Sequence, residues 1–200
     1  MQEITITPAT PKDAPEAANL TFMAYHKYSY DLFGQVGETS AVNHYQKLWL
    51  HGNNRFGYNY SYLAKVKGET IALMTCYPSN LTKSLVGPTI WQLARVGGLQ
   101  FILHFFTHLS NFYYFSSNTD LSPDELYVAT LAVAPEYRGL GIGAEMLRYA
   151  RKLTREQELK RCTLHVSAKN ENGIRFYERN GFTKSKPTGG ANYFRMVYSI

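Results

Sequence analysis

The chain has 200 residues, 44% of them hydrophobic, and a formal net charge of +6. That is enough apolar material for one sizeable core, which excludes disorder of the whole chain and fits a single domain over residues 1–200. Lys and Arg total 21 against 15 Asp and Glu, which reads as an ordinary basic surface or as attraction for an anionic ligand; with no basic tract, no nucleic-acid partner is expected.

Cys76 and Cys162 belong to no paired-Cys motif. They read as reduced and buried, in a cytoplasmic setting. Met1 to Thr7 lacks the basic segment and apolar run of a signal peptide. The apolar stretch from Leu99 to Phe115 is interrupted by His104, Thr107, His108, Ser110 and Asn111, too polar to span a bilayer comfortably. No membrane partner is expected.

In chain order, Ile4 and Ile6 alternate with Thr5 and Thr7 as a short strand. Asp13 and Pro15 start a helix that runs toward Met23 or Tyr25. A second helix is expected from about Ser40 to His51, with Val42, Tyr45 and Leu48 on one face. Tyr58 to Val66 and Glu69 to Cys76 form a hairpin turned by Lys67-Gly68. Residues 87–115 are an insertion, helical over Gln92 to Tyr114 and broken at Gly97-Gly98. Its apolar residues exceed one stripe, so it is either a roof over a cleft or a homodimer surface. Leu126 to Val133 is a strand. Gly141 to about Glu158 is a helix with Ile142, Met146, Leu147, Ala150 and Leu153 as its apolar stripe. Cys162, Leu164 and Val166 mark a strand, Glu171 to Arg179 a short helix ended by Gly181, and two strands close the chain. This order predicts an α/β fold, a mixed, mostly antiparallel sheet flanked by helices.

The informative stretch joins Leu131-Ala132-Val133 to Arg138, Gly139, Leu140, Gly141, Ile142, Gly143 and Ala144. A strand enters a Gly-rich turn and then a long helix. Such a turn can point several amide N–H groups into one concavity at a positive helix end, which suits a pyrophosphate. Equally, the glycines can simply allow a close strand-to-helix turn. A mononucleotide loop would need Lys and Ser or Thr after Gly143, and a dinucleotide fingerprint would need a different glycine spacing.

Arg138, Gly141 and Gly143 fill a motif that resembles the cofactor loop of the GCN5-related N-acetyltransferase (GNAT) superfamily. Downstream, Asn170, Tyr177 and Gly181-Phe182 resemble that family's second segment, in the same order. The resemblance covers most of the chain except roughly 79–122. It implies the acyl-CoA N-acyltransferase fold, acetyl-CoA as cofactor, and acetyl transfer to an amine of a small molecule or peptide. By the match, the amides of Arg138 to Ala144 hold the pyrophosphate. The strand backbone at Leu131, Ala132 and Val133 holds the pantetheine arm, Asn170 touches that arm or its phosphate end, and Tyr177 stands near the sulfur as an acid. The segment after the first helix borders the acceptor, which makes Tyr25, Tyr28 and Tyr30 candidate lining residues, with core packing as the alternative.

The proton acceptor is open. Family members place a carboxylate in the strand before Leu131 or use water, and Val128, Ala129 and Thr130 stand there instead. Glu125 at the strand start and His165 on the next strand are the two candidates. That departure also keeps open a non-catalytic acyl-CoA sensor, and the inserted aromatics a longer acyl group. His104 and His108, four apart, lack a third ligand, and no metal is expected.

Overall fold

Among the described residues, seven strands form one sheet in the order β1-β2-β3-β4-β5-β7-β6. In this computed structural model the described residues are 3–34, 36–107, 121–188 and 193–200. The strands are β1 (Thr5–Pro8), β2 (Ser61–Val66), β3 (Glu69–Pro78), β4 (Glu125–Val133), β5 (Arg161–Ser167), β6 (Thr183–Thr188) and β7 (Tyr193–Ser199). All neighbours run antiparallel except β4 and β5, which are parallel. The mixed, mostly antiparallel sheet is as expected.

Helices cover both faces. On one lies α5 (Ile142–Glu156), whose stripe of Ile142, Met146, Leu147, Ala150 and Leu153 packs on Leu126, Val128, Cys162, Leu164 and Met196. Its charged residues Arg148, Lys152 and Arg155 stay on the opposite side, so burial of one stripe accounts for its placement. On the other face lie α1 (Ala14–Phe33) and α2 (Glu38–Leu50). There Ala17, Leu20 and Trp49 cover Leu63, Leu73 and Ala132.

Three expectations change. The first helix continues to Phe33, past a break at His26 (φ 9°, ψ −86°), because Phe22, Leu32 and Phe33 join a second core with Tyr45, Leu48 and Phe56. Asp13 is the N-cap residue of α1, but its carboxylate does not cap it. It accepts from Thr10 N (2.8 Å) and Thr10 Oγ1 (2.7 Å) and pairs with Lys65 Nζ at 2.5 Å, which ties the helix start to β2. Burial opposes the Asp13 carboxylate, yet Lys65 and Thr10 hold its pKa below the usual carboxylate value. The inserted helix begins at Val86 after the one-turn α3 (Leu81–Ser84) and forms α4 (Val86–Thr107), with its break at Gly98 (φ 58°, ψ −149°). Gly98 supplies the turn that a side chain would resist. The rest of the insertion, His108 included, lies outside the described residues, as does the His104 side chain. Among the described residues no helix is long and apolar enough to cross a membrane, and no group of three His, Cys, Asp or Glu could hold a metal.

Candidate active site between the splayed strands

β4 and β5 pair for only four residues, from Glu125 opposite Arg161 to Val128 opposite Leu164. Beyond that point β4 continues to Val133 and β5 to Ser167 with no pairing between them. A wedge therefore opens inside the sheet, walled by the two backbone edges of β4 and β5 that face each other without pairing. The cause lies in β4. Against β3, Thr75 faces Thr130 while Cys76 faces Val128, so Ala129 is one extra residue, a β-bulge. A bulge bends its strand and increases the local twist, which turns β4 away from β5. It also reverses the side-chain phase. Leu126 and Val128 face α5 before it, and Leu131 and Val133 face α5 after it.

The wedge leads to the glycine loop. Pro135–Tyr137 make a 3-10 turn, Arg138 is extended, and Gly141 (φ 81°) is the left-handed N-cap of α5. Gly139 and Gly141 both have positive φ, and a Cβ on either would meet nothing within 4 Å. Their role is thus conformational, and the space before them is open. Gly143 differs. A Cβ there would stand 3.0 Å from Cζ of Phe176, so it allows the close approach of α6 (Glu171–Arg179). From Gly139 to Ala144 no amide N–H finds a backbone or side-chain acceptor among the described residues; the first amide satisfied is Glu145 N, by Gly141 O at 3.1 Å. Arg138 folds back, with Nε donating to Val133 O at 3.1 Å, and Leu140 is exposed.

A run of N–H donors at a helix start thus adjoins a gap between two strands. The acetyltransferase (GNAT) family model matches residues 26–182. The chain belongs to this family. Among curated proteins, it is 33% identical over 76 residues to N-alpha-acetyltransferase 30 of Schizosaccharomyces pombe, covering 36% of this chain and 51% of that protein. It is 38% identical over 73 residues to N-alpha-acetyltransferase 50 of Danio rerio, covering 36% of this chain and 42% of that one. The chain thus spans about half the length of the curated relatives it matches, or less. The N-acetyltransferase structure from Staphylococcus aureus Mu50 superimposes with a TM-score of 0.71 at 17% identity, over 97% of this chain and 100% of that one, a likeness of fold.

The structure gathers some of the expected GNAT site residues and disperses others. Tyr177 packs between Phe176 and Phe182, and its hydroxyl has no hydrogen bond among the described residues. Burial pushes its phenol up to about 12. Asn170 caps α6, its Oδ1 accepting from Gly173 N at 2.9 Å. Tyr25 reaches the bulge itself, with its hydroxyl 3.2 Å from Ala129 O as donor and 2.8 Å from Thr130 Oγ1. Burial raises its pKa. Tyr28 crosses to the far side and hydrogen-bonds the hydroxyl of Tyr193 on β7. Tyr30 turns away from the sheet and packs beside Phe22 in the cluster shared by α1, α2 and α4.

Glu125 is the larger surprise. Although it opens a strand, it is 0% exposed. Arg161 Nε lies 2.9 Å from its Oε1, and Arg195 NH2 donates to the same oxygen. Six residues of strand, roughly 20 Å, separate it from Leu131. His165 is the first β5 residue past the last pair with β4, and its Nδ1 lies 3.3 Å from the Tyr127 hydroxyl, with the rings edge to face at 5.6 Å. Tyr127 and Arg195 were missed from sequence. The alternation that places Glu125, Tyr127, Thr163 and His165 on one face was readable. The strand order that sets β7 and Arg195 beside them was not.

Proposed function

We propose that this chain transfers the acetyl group of acetyl-CoA to a primary amine, and that the first acceptor class is the α-amine of a peptide. The observation that carries the reading is the continuous run from six unpaired amides, Gly139 to Ala144, into the strand gap beside Ala129 to Val133. Those amides and the positive end of α5 suit a pyrophosphate, and the open backbone of β4 suits the pantetheine arm. When bound, acetyl-CoA supplies an acetyl group activated as a thioester.

This chain's own residues do the rest. His165 removes the proton from the acceptor nitrogen. It is the first β5 residue past the last pair with β4, where the gap opens, and an imidazole is a base suited to neutral pH. A peptide α-amine has a pKa of about 8 against about 10.4 for lysine, so a histidine suffices for it. Glu125 is committed to two guanidinium groups, and we assign it to holding Arg195, the register partner of His165, in place. Amide N–H groups of β4 within the gap stabilise negative charge on the acetyl oxygen without reorganising. Tyr177, protonated up to about 12, donates a hydrogen bond to the departing sulfur. Tyr25 braces the bulge, and Tyr28 with Tyr193 borders the acceptor side. The names of the two curated relatives support a peptide α-amine. The unpaired, buried thiols of Cys76 and Cys162 support a reducing, cytoplasmic setting.

Thiol release from acetyl-CoA with a panel of peptides, polyamines and free lysine tests this. Release should depend on the amine and be fastest with unblocked peptides. Tight cofactor binding with release no faster than hydrolysis for every amine would instead mean a sensing module, and faster release with polyamines would move the acceptor class.

A further inference from the structure

The outer face of α4 is apolar, and among the described residues it stands exposed. Past the Gly98 break, Phe101 and Phe105 turn inward to the core shared with α1 and α2. Leu99, Ile102, Leu103 and Phe106 turn outward, with exposures of 71%, 39%, 60% and 72%. Their spacing of three, four and seven places them on one stripe of the helix. Single exposed apolar side chains are ordinary, but four on one stripe are not.

We infer that this stripe is the contact between two copies of the chain, helix against helix across a two-fold axis near Leu103. Area and charge support a second copy. Together the four side chains leave on the order of 500 Å² of apolar surface open, the upper range for any patch on a monomer. A stable interface needs about 800 Å² per partner, with an apolar centre and a polar rim. The stripe supplies the centre of such an interface. Across a two-fold axis each residue meets its own kind or a near neighbour, so the face must tolerate itself. From Val96 to Thr107 there is no Asp, Glu, Lys or Arg. A chain of charge +6 can meet its twin there without placing like charges at the centre. A helix lying on an anionic membrane would instead carry Lys and Arg along its polar face.

Sedimentation velocity of the full chain across the micromolar range tests this, beside Leu103→Glu, Leu103→Lys and Phe106→Ser. The wild type should be a dimer. Each single variant should raise the dimer dissociation constant by about thirtyfold or more, the loss of a central apolar anchor. Their circular dichroism should be unchanged, since none of these side chains is in the core. Mixing Leu103→Glu with Leu103→Lys should restore the dimer, an effect that no local damage to the helix would produce. A wild type that stays monomeric, or variants that stay dimeric while folded, would overturn the inference. So would a monomer that floats with phosphatidylserine vesicles and loses that binding in Phe106→Ser, which would assign the stripe to a membrane. The wild-type measurement decides the first point even if a variant fails to fold.

Discussion

Replacing Gly141 with Ala separates the two jobs of the glycine loop. Gly141 has φ 81°, and its Cβ would meet nothing within 4 Å. The substitution therefore adds no clash. It adds only the cost of holding an L-residue in the left-handed region, about 1–2 kcal/mol. The loop can avoid that cost in the free protein by relaxing, which tilts the amides of Gly141 to Gly143 out of their common concavity. Binding a pyrophosphate then restores the left-handed turn and carries the same 1–2 kcal/mol. The dissociation constant for acetyl-CoA should rise by roughly five- to thirtyfold. Gly68, at the tip between β2 and β3, is the control. It has φ 86° and equally open surroundings, so Gly68→Ala should lose about 1–2 kcal/mol of stability and keep wild-type affinity. Urea unfolding measures the first quantity and isothermal titration calorimetry the second. Equal affinities in the two variants would refute the assignment of the loop to the phosphates.

Further outcomes follow from single contacts. Tyr177→Phe removes a hydroxyl that has no hydrogen-bond partner among the described residues. The melting temperature should hold while kcat falls by about ten- to a hundredfold, and an unchanged kcat would exclude the hydroxyl from the reaction. Glu125→Gln leaves two guanidinium groups around a neutral amide, and should cost about 3–5 kcal/mol of stability in urea titrations; a stable variant with no turnover would return Glu125 to the role of base. Tyr127→Phe removes a hydroxyl 3.3 Å from His165 Nδ1, and should lower kcat while the melting temperature holds, whereas an unchanged kcat would mean packing alone. Burial and Lys47 lower the pKa of His44, whose Nδ1 is buried without a partner. The unfolded chain then binds more protons below about pH 6.5, so stability should fall as pH drops through that value and level off below the folded pKa. His44→Gln should flatten that part of the urea-derived stability curve.

The order of strands and helices was legible because period two and period 3.6 are local properties. The loop from Arg138 to Ala144 was legible for the same reason, since glycine spacing and an uncapped helix start lie within a few residues. The wedge was not derivable from pattern. It depends on one extra residue, Ala129, and β4 reads as apolar on both sides of it. The reversal from Leu126 and Val128 to Leu131 and Val133 becomes visible only against the register with β3. The environment of Glu125 needed Arg161 and Arg195, the latter 70 residues away on a strand that joins β5 from the other side. Asn170 carries a family resemblance, yet its side chain caps its own helix. The continuation of α1 past His26 was lost because Tyr25-His26-Lys27-Tyr28 has no clear apolar period. It is burial of Leu32 and Phe33 that holds the second segment.

The amides themselves give the most direct test. In an 15N-resolved NMR titration, adding coenzyme A should shift the N–H signals of Gly139 to Ala144 first and furthest, downfield as they donate to phosphate. Unmoved signals for those six residues, with the largest changes elsewhere on the chain, would contradict the account.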